Sequence, residues 1–204
     1  MTQKITVYSD YICPFCFIGK DRVDKLEKEF DIEVEWKGFE IHPETPPGGR
    51  ELPEYLRGFA TNVESSVQRL AREANVELRS PSVIANSKAA IEIAEFAKMK
   101  GRFREYNSAV FKAYWQEGKN IGDPEVLFDI VGRIGLDVEE IRGYLESGEA
   151  RRQIAGYLEE VRRLGITGVP TFIVGDKMIV GAQPYEVLKE AVKGELHGGG
   201  DEGE

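Results

Sequence analysis

The N-terminal part of the chain changes its hydrophobic period twice, which predicts three successive elements. Residues 5–8 are β-branched or aromatic and favour a β-strand. Residues 19–30 carry apolar side chains three or four positions apart, as on one face of a helix. Residues 32–39 alternate apolar and charged side chains, as in a strand with one buried face, before the proline- and glycine-rich residues 43–49. The pattern therefore predicts a strand, a helix and a second strand.

In the central part of the chain, from about residue 53 to residue 165, every periodic pattern of apolar residues has the spacing of a helix. Apolar residues recur at helical spacing between residues 56 and 70 and between residues 90 and 97, the latter ahead of Gly101, which suits a helix end. Aromatic residues form a stripe along residues 103–115. A peptide-binding groove is one interpretation, but the spacing defines one helix face and favours a helical core.

Capping residues divide the rest of this region into further helices. Asp123 precedes Pro124, and Asp137 precedes a glutamate by three residues, both of which are patterns of a helix start. Ser147 is predicted to begin a longer helix that ends at Gly165.

Strand character returns near the C-terminus. Residues 170–174 and 177–180 are predicted strands joined by a short hairpin at residues 175–176, and residues 184–196 form a last helix. Residues 197–204 have no apolar anchor and are predicted to be disordered. The fold class is therefore α/β, with a long all-helical block inserted between the second and third strands.

Composition and charge narrow the function classes. The chain has 204 residues, 41% hydrophobic and 31% charged, which suits one sizeable domain or a core domain with an insertion. A net charge of −9 without a basic, aromatic-rich cluster opposes nucleic-acid binding. No apolar run approaches the roughly 18 residues of a membrane span, and no charged-then-apolar leader follows Met1. We therefore expect a cytoplasmic protein with no membrane partner.

Both cysteines of the chain lie in one motif, Cys13-Pro14-Phe15-Cys16, between the first strand and the first helix. Cys13 then falls at or near the helix N-cap, Pro14 at the first helical position, and Cys16 about one turn further in. Unpaired backbone N–H groups and the positive end of the helix dipole face Cys13 in this arrangement. They favour its thiolate, which is the species that attacks a disulfide.

A pair of cysteines two residues apart has three interpretations: half of a zinc site, a structural disulfide, or a catalytic dithiol. Zinc needs further N or S donors, and the chain offers only His42 and His197 in addition, so no metal is predicted. A disulfide across two residues gains little from loop closure. A lone cysteine pair in a reducing compartment is more plausibly catalytic or redox-sensing, so redox catalysis by Cys13 and Cys16 is favoured.

Separated segments of the chain together resemble the DsbA-type thioredoxin-like family, especially its cytoplasmic FrnE-like branch. The segments that carry the resemblance are Ser9-Asp10, the cysteine motif, Gly19, residues 166–172 and residues 181–183. The resemblance spans nearly the whole chain. It implies a thioredoxin-fold domain at residues 1–48 and 157–196, a helical insertion domain at residues 49–156, and a disordered tail at residues 197–204.

The resemblance also implies thiol–disulfide exchange. Cys13 is expected to be the nucleophile, and Cys16 to resolve the mixed disulfide that Cys13 forms with its substrate. A cis peptide bond is expected between Val169 and Pro170, with the backbone of Val169 free to pair with a substrate segment. The expected partners are protein or peptide thiols and disulfides. No cofactor is expected besides the redox-active disulfide, with glutathione as a candidate reductant.

Departures from the family pattern keep alternatives open. Phe15, which supports the motif together with Pro14, stands where well-known periplasmic members have a thiolate-stabilising histidine. The related kappa-class glutathione transferases and 2-hydroxychromene-2-carboxylate isomerases share the inserted architecture but generally have serine in place of the first cysteine. A glutathione-dependent isomerase or transferase and a peptide-holding chaperone are therefore the alternatives. His42 is interpreted as a strand-end or turn residue, and Gln183 as a turn residue or part of the substrate face.

Overall fold

The computed structural model describes residues 2–51, 66–79 and 81–198. Four strands form a mixed sheet in the order β2-β1-β5-β6. Their bounds are β1 (Gln3–Ser9), β2 (Ile32–Gly38), β5 (Thr171–Val174) and β6 (Lys177–Val180). Strand β1 pairs parallel with β2 and antiparallel with β5, and β5 pairs antiparallel with β6. These are the four strands that the sequence predicts.

Helices occupy the segments whose hydrophobic period is helical. Their bounds are α1 (Pro14–Glu29), α2 (residues 66–74), α3 (Lys88–Met99), α4 (Phe103–Trp115), α5 (Pro124–Arg133), α6 (Val138–Ser147), α7 (Glu149–Leu164) and α8 (Tyr185–Gly198). The N-terminal part of the helix predicted across residues 56–70 lies outside the described residues. Helices α2 to α7 all follow β2 and precede β5, so the described part of the insertion is helical as predicted, except for one short ladder.

One small feature of the insertion is not predicted. Strands β3 (Arg50–Glu51) and β4 (Val83–Ile84) pair antiparallel as a separate two-stranded ladder. Each strand has two residues, which is too short for the alternation that marks a strand in a sequence.

Local sequence explains where several helices begin and end. Asp123 accepts a hydrogen bond from the first turn of α5, and Asp137 accepts two from the first turn of α6, as their capping patterns predict. Ser147 is the last residue of α6 and does not begin α7 as predicted, because Gly148 in the left-handed conformation separates the two helices. The Ser147 hydroxyl nevertheless accepts the backbone N–H of Glu149 at the start of α7. Gly165 ends that helix in the left-handed conformation, with a φ of 68°, which a residue with a side chain rarely adopts.

Apolar cores lie beside the sheet and within the helical block. Ile5 and Val7 of β1 pack against α1 and α8. A larger core fills the space among helices α3 to α7 and extends to the cysteine motif. The aromatic stripe of α4 belongs to this larger core, since Tyr106, Phe111 and Trp115 are all at most 7% exposed. The core interpretation of the stripe is therefore confirmed.

Helix α7 connects the helical block to the sheet. Ile154 and Tyr157 belong to the core of the helical block, and one turn later Val161 packs on Tyr8 of β1. The domain boundary predicted between residues 156 and 157 falls inside this continuous helix and stays a prediction.

The last helix is longer than the sequence predicts. Helix α8 reaches Gly198, whereas the sequence places its end at residue 196 and disorder from residue 197. Helix ends are uncertain by one or two residues because terminal turns depend little on side-chain pattern. The remaining tail, residues 199–204, lies outside the described residues. In the part of the chain described, no helix has the length and apolar character needed to cross a membrane.

Candidate active site

Cys13 is the N-cap residue of α1. Its backbone is extended, with φ −89° and ψ 118°, and Pro14 starts the helix. The carbonyl of Cys13 accepts the backbone N–H of Cys16 at 3.1 Å and that of Phe17 at 3.3 Å. The first turn of the helix therefore points its N–H groups toward the Cys13 side of the motif, as the sequence predicts.

The two thiols are free and closely surrounded. Cys13 is 4% exposed and Cys16 is fully buried. The Cys13 thiol donates to the carbonyl oxygen of Val169 at 3.5 Å, and the Cys16 sulfur accepts the backbone N–H of Asp10 at 3.5 Å. The structure thus brings Cys13, Cys16 and Val169 to one place.

The pKa values of the two thiols move in opposite directions. A hydrogen bond from the Cys16 side chain lowers the pKa of Cys13, as do the backbone N–H groups of Cys16 and Phe15, against the effect of burial. Burial raises the pKa of Cys16 well above its ordinary value, and the hydrogen bond with Cys13 acts in the same direction. Cys13 is therefore the thiol of the pair that ionises more readily.

A buried carboxyl group lies beside the dithiol. Asp10, 1% exposed, accepts backbone N–H groups from Ile12 at 3.3 Å and from Ile41 at 2.8 Å, while its own carbonyl accepts the N–H of Cys13 at 3.2 Å. Burial raises the pKa of Asp10 to about 6, although these hydrogen bonds and one from Ser87 oppose the shift. When ionised, Asp10 raises the pKa of Cys13 by charge repulsion. Sequence reasoning placed Asp10 in the family motif but gave it no role.

Val169 and Pro170, which lie beside Cys13, immediately precede strand β5. The peptide bond between Val169 and Pro170 is cis, and the Pro170 carbonyl accepts the N–H of Gly181 at 2.7 Å. Helix α1 approaches this strand closely at Gly19. A Cβ atom there would lie 3.0 Å from the Phe172 ring and 3.2 Å from Pro170. Glycine at position 19 therefore permits the close approach of α1 to Pro170 and to Phe172 of β5.

Gln183 and His42 have turn contacts rather than contacts with the dithiol. The side chain of Gln183 donates to the Val180 carbonyl at 2.9 Å, and its backbone carbonyl accepts a hydrogen bond from Arg22. His42 is partly exposed and pairs with Glu44 at 3.1 Å. The turn interpretation accounts for both residues. In the described ranges, no group of three or more potential metal ligands is present.

The helical block holds the loop that precedes Cys13. The indole N–H of Trp115 donates to the Tyr11 carbonyl at 2.8 Å, and the Tyr11 ring lies edge-on to the Phe111 ring at 4.9 Å. Phe17, in the first turn of α1, stacks on the same Phe111 ring at 5.5 Å. These contacts were not predicted, because the sequence shows the stripe on α4 without showing what packs against it.

Phe15 connects the motif to other neighbours. It is half-buried and packs with the cluster formed by Ile18 and the apolar face of α2, a cluster that Ala182 also contacts. Phe15 of the cysteine motif, the loop after β6 and the insertion therefore contact one another in a single apolar cluster.

Comparison with known proteins identifies the family of this fold and site. The sequence profile of the DSBA-like thioredoxin domain matches residues 4–193. The chain belongs to this family. The match covers the sheet, the insertion and the cysteine motif, so the predicted resemblance and fold class are confirmed.

Relatives of this DSBA-like protein include an uncharacterized protein and an isomerase. It is 36% identical over 200 residues to the uncharacterized protein YwbO of Bacillus subtilis, covering 96% of this chain and 98% of the relative. It is 22% identical over 195 residues to a 2-hydroxychromene-2-carboxylate isomerase of Pseudomonas putida, covering 92% and 93% of the two chains.

Solved structures show the same DSBA-like fold. A probable DsbA oxidoreductase of Streptomyces coelicolor, SCO1869, superposes with a TM-score of 0.85 at 24% identity, over 99% of this chain and 93% of that one. The cytosolic disulfide reductase DsbM of Pseudomonas aeruginosa, solved with GSH, gives 0.68 at 19% identity, over 93% and 99%. At these identities the likeness establishes the fold.

Proposed function

We propose that this DSBA-like protein is a thiol–disulfide oxidoreductase that works through Cys13 and Cys16. The observation that carries the proposal is the asymmetry of the pair. Cys13 caps a helix and has a lowered pKa, whereas its neighbour Cys16 is buried with a raised pKa. A helix-capping thiolate next to a shielded thiol suits attack by the first sulfur and resolution by the second.

The exchange proceeds in two displacements. The Cys13 thiolate attacks one sulfur of a substrate disulfide and expels the other as a thiolate, which leaves a mixed disulfide on Cys13. Cys16 then loses its proton, attacks Cys13 and expels the bound substrate sulfur. Two electrons pass from the cysteine pair to the substrate, and the reverse sequence oxidises a substrate dithiol.

Val169 and Pro170 form the proposed substrate face. The Val169 carbonyl lies 3.5 Å from the Cys13 sulfur, so a substrate segment that pairs with this backbone brings its own sulfur to the nucleophile. Protein or peptide disulfides are the proposed substrates. Glutathione is the proposed recycling thiol in the cytoplasm, by analogy with the DsbM structure that holds GSH.

Single-cysteine variants test this proposal. Cys16→Ser is expected to accumulate a mixed disulfide through Cys13, and Cys13→Ser is expected to form none, because the thiolate is lost. Intact mass after incubation with glutathione disulfide, together with insulin reduction, measures both outcomes. If disulfide turnover is unchanged in both variants, the catalytic assignment is wrong.

A glutathione-dependent isomerase is the alternative suggested by the Pseudomonas putida relative. It predicts turnover of a small aromatic substrate that survives Cys16→Ser. A chaperone role predicts that the double Cys→Ser variant still suppresses aggregation. The retained Cys16 favours the oxidoreductase, because an isomerase that uses one activated group has no need of a resolving thiol.

A further inference from the structure

Arg22 is a buried charged residue that the proposed exchange reaction does not use. It lies on α1, nine residues after Cys13, and is only 3% exposed. Burial lowers the pKa of Arg22, while the charges of Glu73 and Asp21 oppose the shift. Burying a guanidinium is costly, and an apolar side chain of similar length would fill the same space without that cost. The contacts of Arg22 should therefore explain why a charge is present there.

Among the described residues, Arg22 donates its hydrogen bond to a backbone carbonyl. The acceptor is the carbonyl oxygen of Gln183, in the turn that follows β6. Lys25 of the same helix, by contrast, pairs with the carboxylate of Asp21 at 2.7 Å. The guanidinium of Arg22 therefore holds a segment of backbone.

Position 22 lies on the side of α1 that approaches β5. Residues three positions apart project from the same side of a helix. Gly19 is the point where α1 comes closest to Pro170 and Phe172, since an added Cβ there would lie 3.2 Å and 3.0 Å from their side chains. One side of α1 therefore meets the start of β5 at Gly19 and the turn after β6 at Arg22.

The turn that Arg22 holds is connected to Pro170 by hydrogen bonds. The N–H of Gln183 donates to the carbonyl of Gly181 at 2.8 Å, and the N–H of Gly181 donates to the carbonyl of Pro170 at 2.7 Å. A continuous series of hydrogen bonds therefore runs from Arg22, on the helix that carries the nucleophile, to the residue next to Val169.

We propose that Arg22 is a positioning residue that fixes the Val169-Pro170 segment relative to the Cys13 sulfur by holding the turn at residues 181–183. The inference rests on the proposed function, in which a substrate chain pairs with the Val169 backbone, whose carbonyl lies 3.5 Å from that sulfur. A backbone already held in place loses little freedom when a substrate binds. Arg22 therefore contributes to the binding of substrates that have a peptide backbone, and it leaves the reactivity of the Cys13 thiol unchanged.

A peptide substrate and a small reagent together test this role. Reduced protein is mixed with an excess of a short peptide closed by one disulfide, and the rate of peptide reduction is followed against peptide concentration in single turnovers. We expect Arg22→Met to raise the half-saturating peptide concentration by roughly tenfold and to leave the limiting rate within about twofold, because binding is weakened while the sulfur chemistry is kept. Alkylation of Cys13 by iodoacetamide, which is too small to pair with a strand, is expected to keep its wild-type rate at pH 7.

A conservative variant and a matched control separate positioning from general stability. Arg22→Lys keeps a cationic donor and is expected to return the half-saturating concentration to within about threefold of the wild type. Lys25→Met is the control, because Lys25 also lies on α1 and donates to a backbone carbonyl, that of Ala74 in α2, at 3.3 Å. This control is expected to lose some stability and to keep the wild-type half-saturating concentration.

A second variant loosens the same turn from its exposed side. The side chain of Gln183 is exposed and donates to the Val180 carbonyl at 2.9 Å. Gln183→Ala is therefore expected to fold and to raise the half-saturating concentration by about threefold, in the same direction as Arg22→Met. It decides the question where Arg22→Met does not fold.

The outcomes separate this inference from the proposed function. A wild-type half-saturating concentration in folded Arg22→Met overturns the positioning role, and so does the same value in Gln183→Ala where Arg22→Met does not fold. An equal loss in peptide reduction and in alkylation also overturns it, because Arg22 would then act on the thiol itself. Failure of the wild-type protein to reduce the peptide would instead count against the oxidoreductase function on which the inference rests.

Discussion

At the scale of single residues, the chemistry of the site depends on charges that a sequence motif does not display. Cys13 owes its lowered pKa to donors from Cys16 and Phe15, and the nearby Asp10 carboxylate partly cancels their effect. Asp10 lies in a buried pocket without a hydrogen-bonded cation among the described residues, so its own ionisation is costly. The reactivity of the thiol is therefore linked to the protonation of a carboxyl group three residues away.

Asp10→Asn is expected to lower the pKa of Cys13 further, because the repelling charge is lost. Alkylation of Cys13 by iodoacetamide is then faster than in the wild type at pH 7. The difference is expected to shrink below pH 6, where the wild-type carboxyl is itself protonated. An alkylation rate profile across pH 4 to 8 measures it, and a rate difference that is constant with pH would contradict this account.

The same residue affects stability with a definite sign. The pKa of Asp10 is raised from 3.8 to about 6 on folding, so between these values the folded state binds more protons than the unfolded state. The free energy of unfolding is therefore expected to fall by about 3 kcal/mol as the pH rises through this window, and Asp10→Asn is expected to remove that component. Urea denaturation at pH 4 and pH 7 measures it, with Asp31→Asn on the surface as the control.

At the scale of elements, the helical insertion supports the proposed redox site. Helix α4 holds the Tyr11 carbonyl through Trp115 and supports both Tyr11 and Phe17 on the ring of Phe111. A thioredoxin-type sheet alone would leave the loop before Cys13 without these contacts. The insertion therefore contributes to the position of the nucleophile.

Trp115→Phe is expected to lose one hydrogen bond and to loosen the loop before Cys13, while keeping the aromatic bulk. We expect Cys13 alkylation at pH 7 to slow by roughly threefold, which corresponds to half a pKa unit. Tyr114→Phe is the matched control, because it loses a hydrogen bond of 2.9 Å to the Val83 carbonyl from the adjacent position of the same helix. Both variants are expected to lose about 1 kcal/mol of stability, and equal alkylation rates in the two would refute the positioning role of Trp115.

Much of the fold at this scale was predictable from the sequence, because period, caps and turns are local signals. The four strands of the sheet, the caps at Asp123 and Asp137, and the position of Cys13 at the start of α1 all follow from such patterns. The pairing of β3 with β4 and the contact of Trp115 with Tyr11 join residues far apart in sequence. Neither leaves a periodic signal, so only the folded chain shows them.

At the scale of the whole molecule, one continuous core supports both the insertion and the cysteine motif. Phe111 of α4 is fully buried at the point where these regions meet, and α7 runs from the helical core to Tyr8 of the sheet. Regions that share a core and a connecting helix are expected to unfold together.

Phe111→Ala is expected to destabilise the protein by about 3–5 kcal/mol, because it opens a cavity in this shared core. Unfolding in urea is expected to remain a single transition, with loss of helical circular dichroism coinciding with exposure of Cys16 to alkylation. Phe128→Ala, at a half-buried ring packed against the same core, serves as the control and is expected to cost less stability. Exposure of Cys16 well before the helices melt would show that the two regions are independent.

The glycine at position 19 has a consequence for how much variation the molecule tolerates. A Cβ atom at position 19 would press against both the Phe172 ring and Pro170. The absence of this atom therefore sets how closely α1 approaches the segment that contains Pro170. Alanine at this site would require α1 or the side chains of Phe172 and Pro170 to shift by a few tenths of an ångström, which would change the distance between Cys13 and the proposed substrate face. We therefore expect sequences that keep the two cysteines but lack this glycine to bind their substrates differently, even where the chemistry of the two thiols is unchanged.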